Sequence, residues 1–65
     1  IVCAKSKHFD EAGLETNVDF FRMLKIVVQG GFRGSIGIEF EGHDIDPVAG
    51  IIATRDLLKR AIAAA

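Results

Sequence analysis

Apolar and polar residues change period several times along this chain, and each change marks an element. From Ile1 to Ser6 (IVCAKS) the pattern alternates, which is the period of a strand, with Ile1, Cys3 and Lys5 on one side and Val2, Ala4 and Ser6 on the other. Lys7 to Thr16 is polar, contains Gly13 and reads as a loop, longer than most connections in compact domains. From Val18 to Gln29 the apolar residues Phe20, Met23, Leu24, Val27 and Val28 recur at helical spacing. Thr16 or Asn17 stands ready as the cap, Asp19 three residues after Thr16, and Gly30 and Gly31 as the stop. Ser35 to Phe40 alternates again. Asp46-Pro47 then reads as a cap followed by the first position of a last helix reaching towards Ala65, with Val48, Ile51, Ile52, Leu58 and Ile62 as its buried face and Arg55, Lys59 and Arg60 solvated.

The order strand–helix–strand–helix has a consequence. Each crossover carries a helix, so the two strands are expected to be parallel and joined right-handedly. Two parallel strands leave open edges and one bare face, so the unit is expected to oligomerise or to associate with further barrel strands. The second strand narrows the fold class. Ile36, Ile38 and Phe40 suit a face under helices, whereas Ser35, Gly37, Glu39 and Glu41 put small residues low and acids at the C-terminal end of the other face. That is the pattern of a (β/α)8 barrel strand, whose outward side meets helices and whose C-terminal mouth holds the active site. Lys5 lies inward near the end of the first strand, with Cys3 one layer below as a small buried hydrophobe. The fold expected is α/β: a βαβα quarter of a TIM barrel, with residues 1–65 forming one C-terminal fragment of that domain. A start at Ile1, mid-pattern and without Met, agrees with a piece of a longer protein.

Composition removes several classes. The chain has 65 residues, eight basic and nine acidic, which leaves no basic footprint for nucleic acid. No apolar run approaches the roughly 20 residues needed to span a bilayer, so no membrane is expected. No basic region followed by a long apolar one opens the chain. The single cysteine rules out an internal disulfide and fits a reducing, cytoplasmic setting. The glycines do not form a loop running from a strand into a helix N-terminus, so the dinucleotide-binding and P-loop patterns fail. In the first loop, His8, Asp10, Glu11 and Glu15 match no standard metal spacing and read as solvated.

The stretch IVCAKSKHFDEAGLETNVDFFRMLKIVVQGGFRGSIGIEFEG resembles the last two βα units of the xylose-isomerase-like TIM barrels, the sugar phosphate isomerase/epimerase group. Their turn and last strand, GY-x-G-x-(I/V)-x-I-E, is matched here by Gly31-Phe32-Arg33-Gly34-Ser35-Ile36-Gly37-Ile38-Glu39, followed by Phe40-Glu41-Gly42. On the preceding strand many members carry His-x-Lys-Asp. Here that position reads Cys3-Ala4-Lys5-Ser6, so only Lys5 fits.

The resemblance implies metal-assisted sugar chemistry: a proton moved on a ketose or aldose, with a divalent metal (Mn, Mg, Co or Zn) holding substrate oxygens. It assigns Glu39 as metal ligand and catalytic acid/base. Lys5, His8 and Glu41 become candidate contacts to a sugar or sugar phosphate. The parent is expected to be an isomerase or epimerase of carbohydrate metabolism, and this chain alone to be inactive. Two other classes stand beside it. One is a metal-dependent phosphodiesterase of the endonuclease IV type, which would want a basic groove. The other is a non-catalytic α/β fragment that self-assembles.

Overall fold

The computed structural model describes residues 2–32 and 34–65; Ile1 of the expected first strand and Arg33 of the turn before the second lie outside them. The elements come in the expected order: β1 (Val2–Ser6), α1 (Phe20–Gln29), β2 (Ile36–Phe40) and α2 (Pro47–Ala64). The strands pair in parallel, Val2 beside Ile36, Cys3 beside Gly37, Ala4 beside Ile38, Lys5 beside Glu39 and Ser6 beside Phe40. The ladder runs on at both ends, where Val2 N donates to Ser35 O at 3.0 Å and Glu41 N to Ser6 O at 2.8 Å.

Alternation decides which face the helices cover. Ala4 and Ser6 are buried, and Ile36 and Ile38 pack against a core of Ala4, Phe20, Leu24, Leu57, Leu58 and Ala61. Helix α2 lies on both strands and α1 lies on α2. The other face of the sheet is uncovered and presents Cys3, Lys5 and Glu39. Cys3 is therefore an exposed free thiol, contrary to the expectation of burial: it belongs to the bare face.

Helix α1 starts later than its apolar pattern suggests. Its cap is Asp19, whose side chain accepts from Arg22 N at 3.1 Å, because the N–H groups of Asn17 and Val18 are already held by the Glu15 carboxylate. It stops at the glycines as expected. Gly30 keeps an ordinary helical φ, and Gly31 alone takes the left-handed conformation, φ +84°. Helix α2 starts as expected, with Asp46 accepting from Val48 N and Ala49 N at 3.0 and 3.2 Å ahead of Pro47 at the first position.

The buried face of α2 is not the one the bulky residues mark. Gly50, Thr54, Leu57, Leu58 and Ala61 are buried, whereas Val48, Ile51, Ile52 and Ile62 are between 43% and 63% exposed. Of the five residues expected inside, only Leu58 is there. The reason is close packing. Phe40 reaches up from β2 into the space a side chain at position 50 would fill: a Cβ there would come within 2.3 Å of its ring. The helix can approach the sheet only on its small-residue side, which turns the β-branched stripe outward.

Polar groups inside this core are satisfied. Thr54 donates its hydroxyl proton to the carbonyl of Gly50 at 2.8 Å, one turn back, and so accepts from Ser6 at 2.6 Å. The pair ties the end of β1 to the middle of α2. Among the described residues no buried side-chain nitrogen or oxygen lacks a partner.

Candidate functional site at the strand ends

The loop between β1 and α1 is folded into a small hairpin rather than left as a solvated connection. Phe9 and Glu15 face each other in an antiparallel bridge. Asp10 turns the tip: its carboxylate accepts from Ala12 N and Leu14 N, both at 2.9 Å, its carbonyl accepts from Gly13 N at 3.0 Å, and Gly13 supplies the left-handed φ of +79°. The tip is held from below by Arg60, which donates to the Ala12 carbonyl at 2.9 Å and lies over the Phe21 ring at 5.9 Å. Arg60 is thus engaged with the loop.

Glu15, read from sequence as a solvated acid, is buried at 8% exposure. One carboxylate oxygen accepts from Lys7 N at 2.5 Å and His8 N at 3.2 Å; the other accepts from Asn17 N and from Val18 N, the latter at 3.3 Å. Both ends of the loop are pinned to one side chain. Burial pushes the carboxyl pKa up, but the four N–H donors outweigh it, and the net shift is downward. No periodicity announces such a residue. The only signal in the sequence is an acid just before a cluster of backbone donors at a helix entrance.

The candidate residues lie at the ends of the two strands and in the loops that follow them. Lys5 and Glu39, neighbours in the ladder, meet on the bare face, with Nζ to Oε2 at 3.9 Å and side chains 63% and 51% exposed. An ion pair that long and that wet contributes little to stability. It does put a cation and a carboxylate side by side near the C-terminal end of the sheet. Glu41 sits just past the end of β2, where it helps line a cleft of about 300 Å3 together with Lys5, Lys7, Glu15 and Asn17. His8 joins a different pair: its Nδ1 lies 3.3 Å from Asp44 Oδ2 in the loop after β2. That hydrogen bond holds the Asp44 carboxyl below its ordinary pKa. The structure therefore brings Lys5, Glu39 and Glu41 to one end of the sheet and links His8 to Asp44.

Gly42 lets the two loops pass. A Cβ there would lie 2.1 Å from the Lys7 carbonyl and 2.7 Å from the Phe40 ring, so the exit of β2 presses directly on the exit of β1.

A hard divalent cation takes about six oxygen ligands or more. Among the described residues, no three His, Cys, Asp or Glu side chains converge to hold one. Glu39 offers a single carboxylate, already beside the Lys5 ammonium. The described residues do not by themselves fit a metal centre.

None of the described helices is long and apolar enough to cross a membrane. No family model matches the chain. Its sequence is similar to the C-glycoside deglycosidase alpha subunit of Arthrobacter globiformis, with 36% identity over 67 aligned positions that cover 94% of this chain. The chain spans 19% of that subunit's length, and the likeness is to one part of a sugar-processing enzyme.

Proposed function

We propose that this chain is two βα units of a (β/α)8 barrel in a sugar-processing enzyme, with Glu39 as the proton acceptor at its mouth. The observation that carries the reading is the parallel register, which sets Glu39 beside Lys5 near the C-terminal end of the face that helices leave bare. In a closed barrel that face is the interior, and its C-terminal end is where catalytic side chains gather. The similarity to a C-glycoside deglycosidase subunit supports sugar as the substrate class.

The chemistry that suits this pair is proton removal from a sugar carbon beside a carbonyl. The Glu39 carboxylate takes the proton, and the Lys5 ammonium donates a hydrogen bond to the oxygen on which charge develops. Isomerases and epimerases require this step. A carbon–carbon glycosidic link offers no bridging oxygen to protonate, so its cleavage also needs charge placed on carbon. The same carboxylate therefore suits both reactions. A divalent ion, Mn, Mg, Co or Zn, belongs to the proposal only with Glu39 as this chain's one ligand and the others supplied from outside it.

The test is exchange of a sugar C–H with solvent deuterium by the complete enzyme, read by NMR. Glu39→Gln is expected to slow exchange about 100-fold or more, the usual share of a general base. Unchanged exchange would refute the assignment.

A second reading is favoured by the exposed Val48, Ile51, Ile52 and Ile62 stripe and the bare sheet face: a non-catalytic fragment that self-assembles. Light scattering decides it, since a monodisperse monomer over a wide concentration range excludes it. Lys5, Lys7, Glu39 and Glu41 mix both signs at the strand ends, which gives the phosphodiesterase reading no basic groove.

A further inference from the structure

The sugar could in principle meet this end of the sheet as a free hydroxyl compound or as a phosphate ester. Proteins hold phosphates with backbone N–H groups gathered in a nest or at a helix N-terminus, helped by lysine or arginine. This chain has such groups at the strand ends, and they are already occupied. The N–H groups of Lys7, His8, Asn17 and Val18 converge on one point, and that point is the Glu15 carboxylate. Val48 N and Ala49 N at the start of α2 are taken by Asp46, and Arg22 N at the start of α1 by Asp19. The chain's own carboxylates stand where an incoming phosphate would need to bind.

What remains open is of mixed sign. The cleft of about 300 Å3 is lined by Lys5, Lys7 and Asn17 as donors and by Glu41 as an acceptor. The Lys7 ammonium, the Asn17 carboxamide and the Glu41 carboxylate make no hydrogen bond or ion pair within the described residues. A sugar hydroxyl both donates and accepts, so it satisfies the lysine and the carboxylate together. The dianion of a phosphate ester has no donor, and either it or inorganic phosphate would set its charge against Glu41 across the same cleft.

We propose that the group bound between the two loops is an uncharged polyhydroxyl portion of the substrate, contacted by Lys7 and Asn17, and that Glu15 fills the nest that would otherwise hold a phosphate. This deepens the sugar-processing reading and rests on it for the identity of the ligand, but the anion test below stands without catalysis. The 65-residue chain is labelled with 15N and titrated with inorganic phosphate, following the amides of Lys7, His8, Asn17 and Val18. The expected result is no saturable shift at millimolar phosphate. Glu15→Ala, which empties the nest, is expected to bind phosphate at least about tenfold tighter than the unsubstituted chain. If Glu15→Ala does not fold, Glu15→Ser, whose side chain is also too short to reach the four N–H groups, replaces it. Saturable binding to the unsubstituted chain, weakened by Lys7→Met, would overturn the proposal.

With the complete enzyme, C–H exchange is then compared for an uncharged ketose or aldose and for its phosphate ester. The uncharged sugar is expected to be preferred, and preference for the ester would also overturn the proposal. Absence of exchange with every sugar refutes the proton-transfer reading instead, and the phosphate titration still decides the inference.

Discussion

Replacing Gly50 by alanine sets two well-understood effects against each other. Position 50 lies inside an 18-residue helix, where alanine is better than glycine by about 1 kcal/mol. The added methyl, however, would stand 2.3, 2.4 and 2.5 Å from three ring carbons of Phe40. Carbon atoms pack at roughly 3.5–4.0 Å, so the ring or the helix must give by about 1 Å or more. The ring has little room to retreat. It stacks on Phe9 at 6.4 Å between centroids, and its far edge closes on the backbone of Gly42. Overpacking of this kind costs about 1–3 kcal/mol, and the confinement puts this case at the upper end. The expected net is a loss of about 2 kcal/mol. Urea unfolding followed by far-UV circular dichroism measures it, since the chain has no Trp or Tyr to report by fluorescence. A double-mutant cycle isolates the cause: in a Phe40→Ala background Gly50→Ala should become stabilising, giving a coupling of about 2–3 kcal/mol between the two sites. Gly50→Ala that stabilises with Phe40 in place, or that has the same effect in both backgrounds, would refute the packing account.

Three further outcomes are expected. Thr54→Val removes the acceptor of the buried Ser6 hydroxyl and should cost about 1–3 kcal/mol by urea unfolding, whereas adding Ser6→Ala should recover much of the loss. Glu15 has a lowered folded pKa, so its contribution to stability is full above the ordinary glutamate value and fades as pH falls through the folded one; Glu15→Gln should flatten that acid limb of a stability–pH profile. Asp44 is held low first by its hydrogen bond to His8, so His8→Ala should raise the Asp44 carboxyl pKa in a 13C-detected titration, and no change would remove His8 as the cause.

Most of the architecture is legible in the sequence because it is written in local periods. The alternation around Ile36, Ile38 and Phe40 and the Asp46-Pro47 start signal each depend on a few adjacent residues, and the structure follows them. The side of α2 that is buried is different. It depends on the fit between Gly50 and a ring arriving from another element, and hydrophobicity alone points to Ile51 and Ile52 instead. Glu15 was hidden for a similar reason: its donors come from both ends of a loop, and only the folded hairpin gathers them. The adjacency of Lys5 and Glu39 follows from a parallel pairing in this register, and the structure supplies both. His8 lies where a loop residue after a strand was expected, but its partner Asp44 comes from the loop after β2, which spacing along the chain does not reveal.

Cys3 is the only thiol, and its ladder neighbour is Gly37, which has no side chain to shield it. A thiol-directed alkylating reagent therefore has an unobstructed approach to the middle of the bare sheet. The labelling rate of this one sulfur becomes a gauge of whether anything has closed over that surface: fast when the sheet meets water, slow once further strands or another copy shut it in.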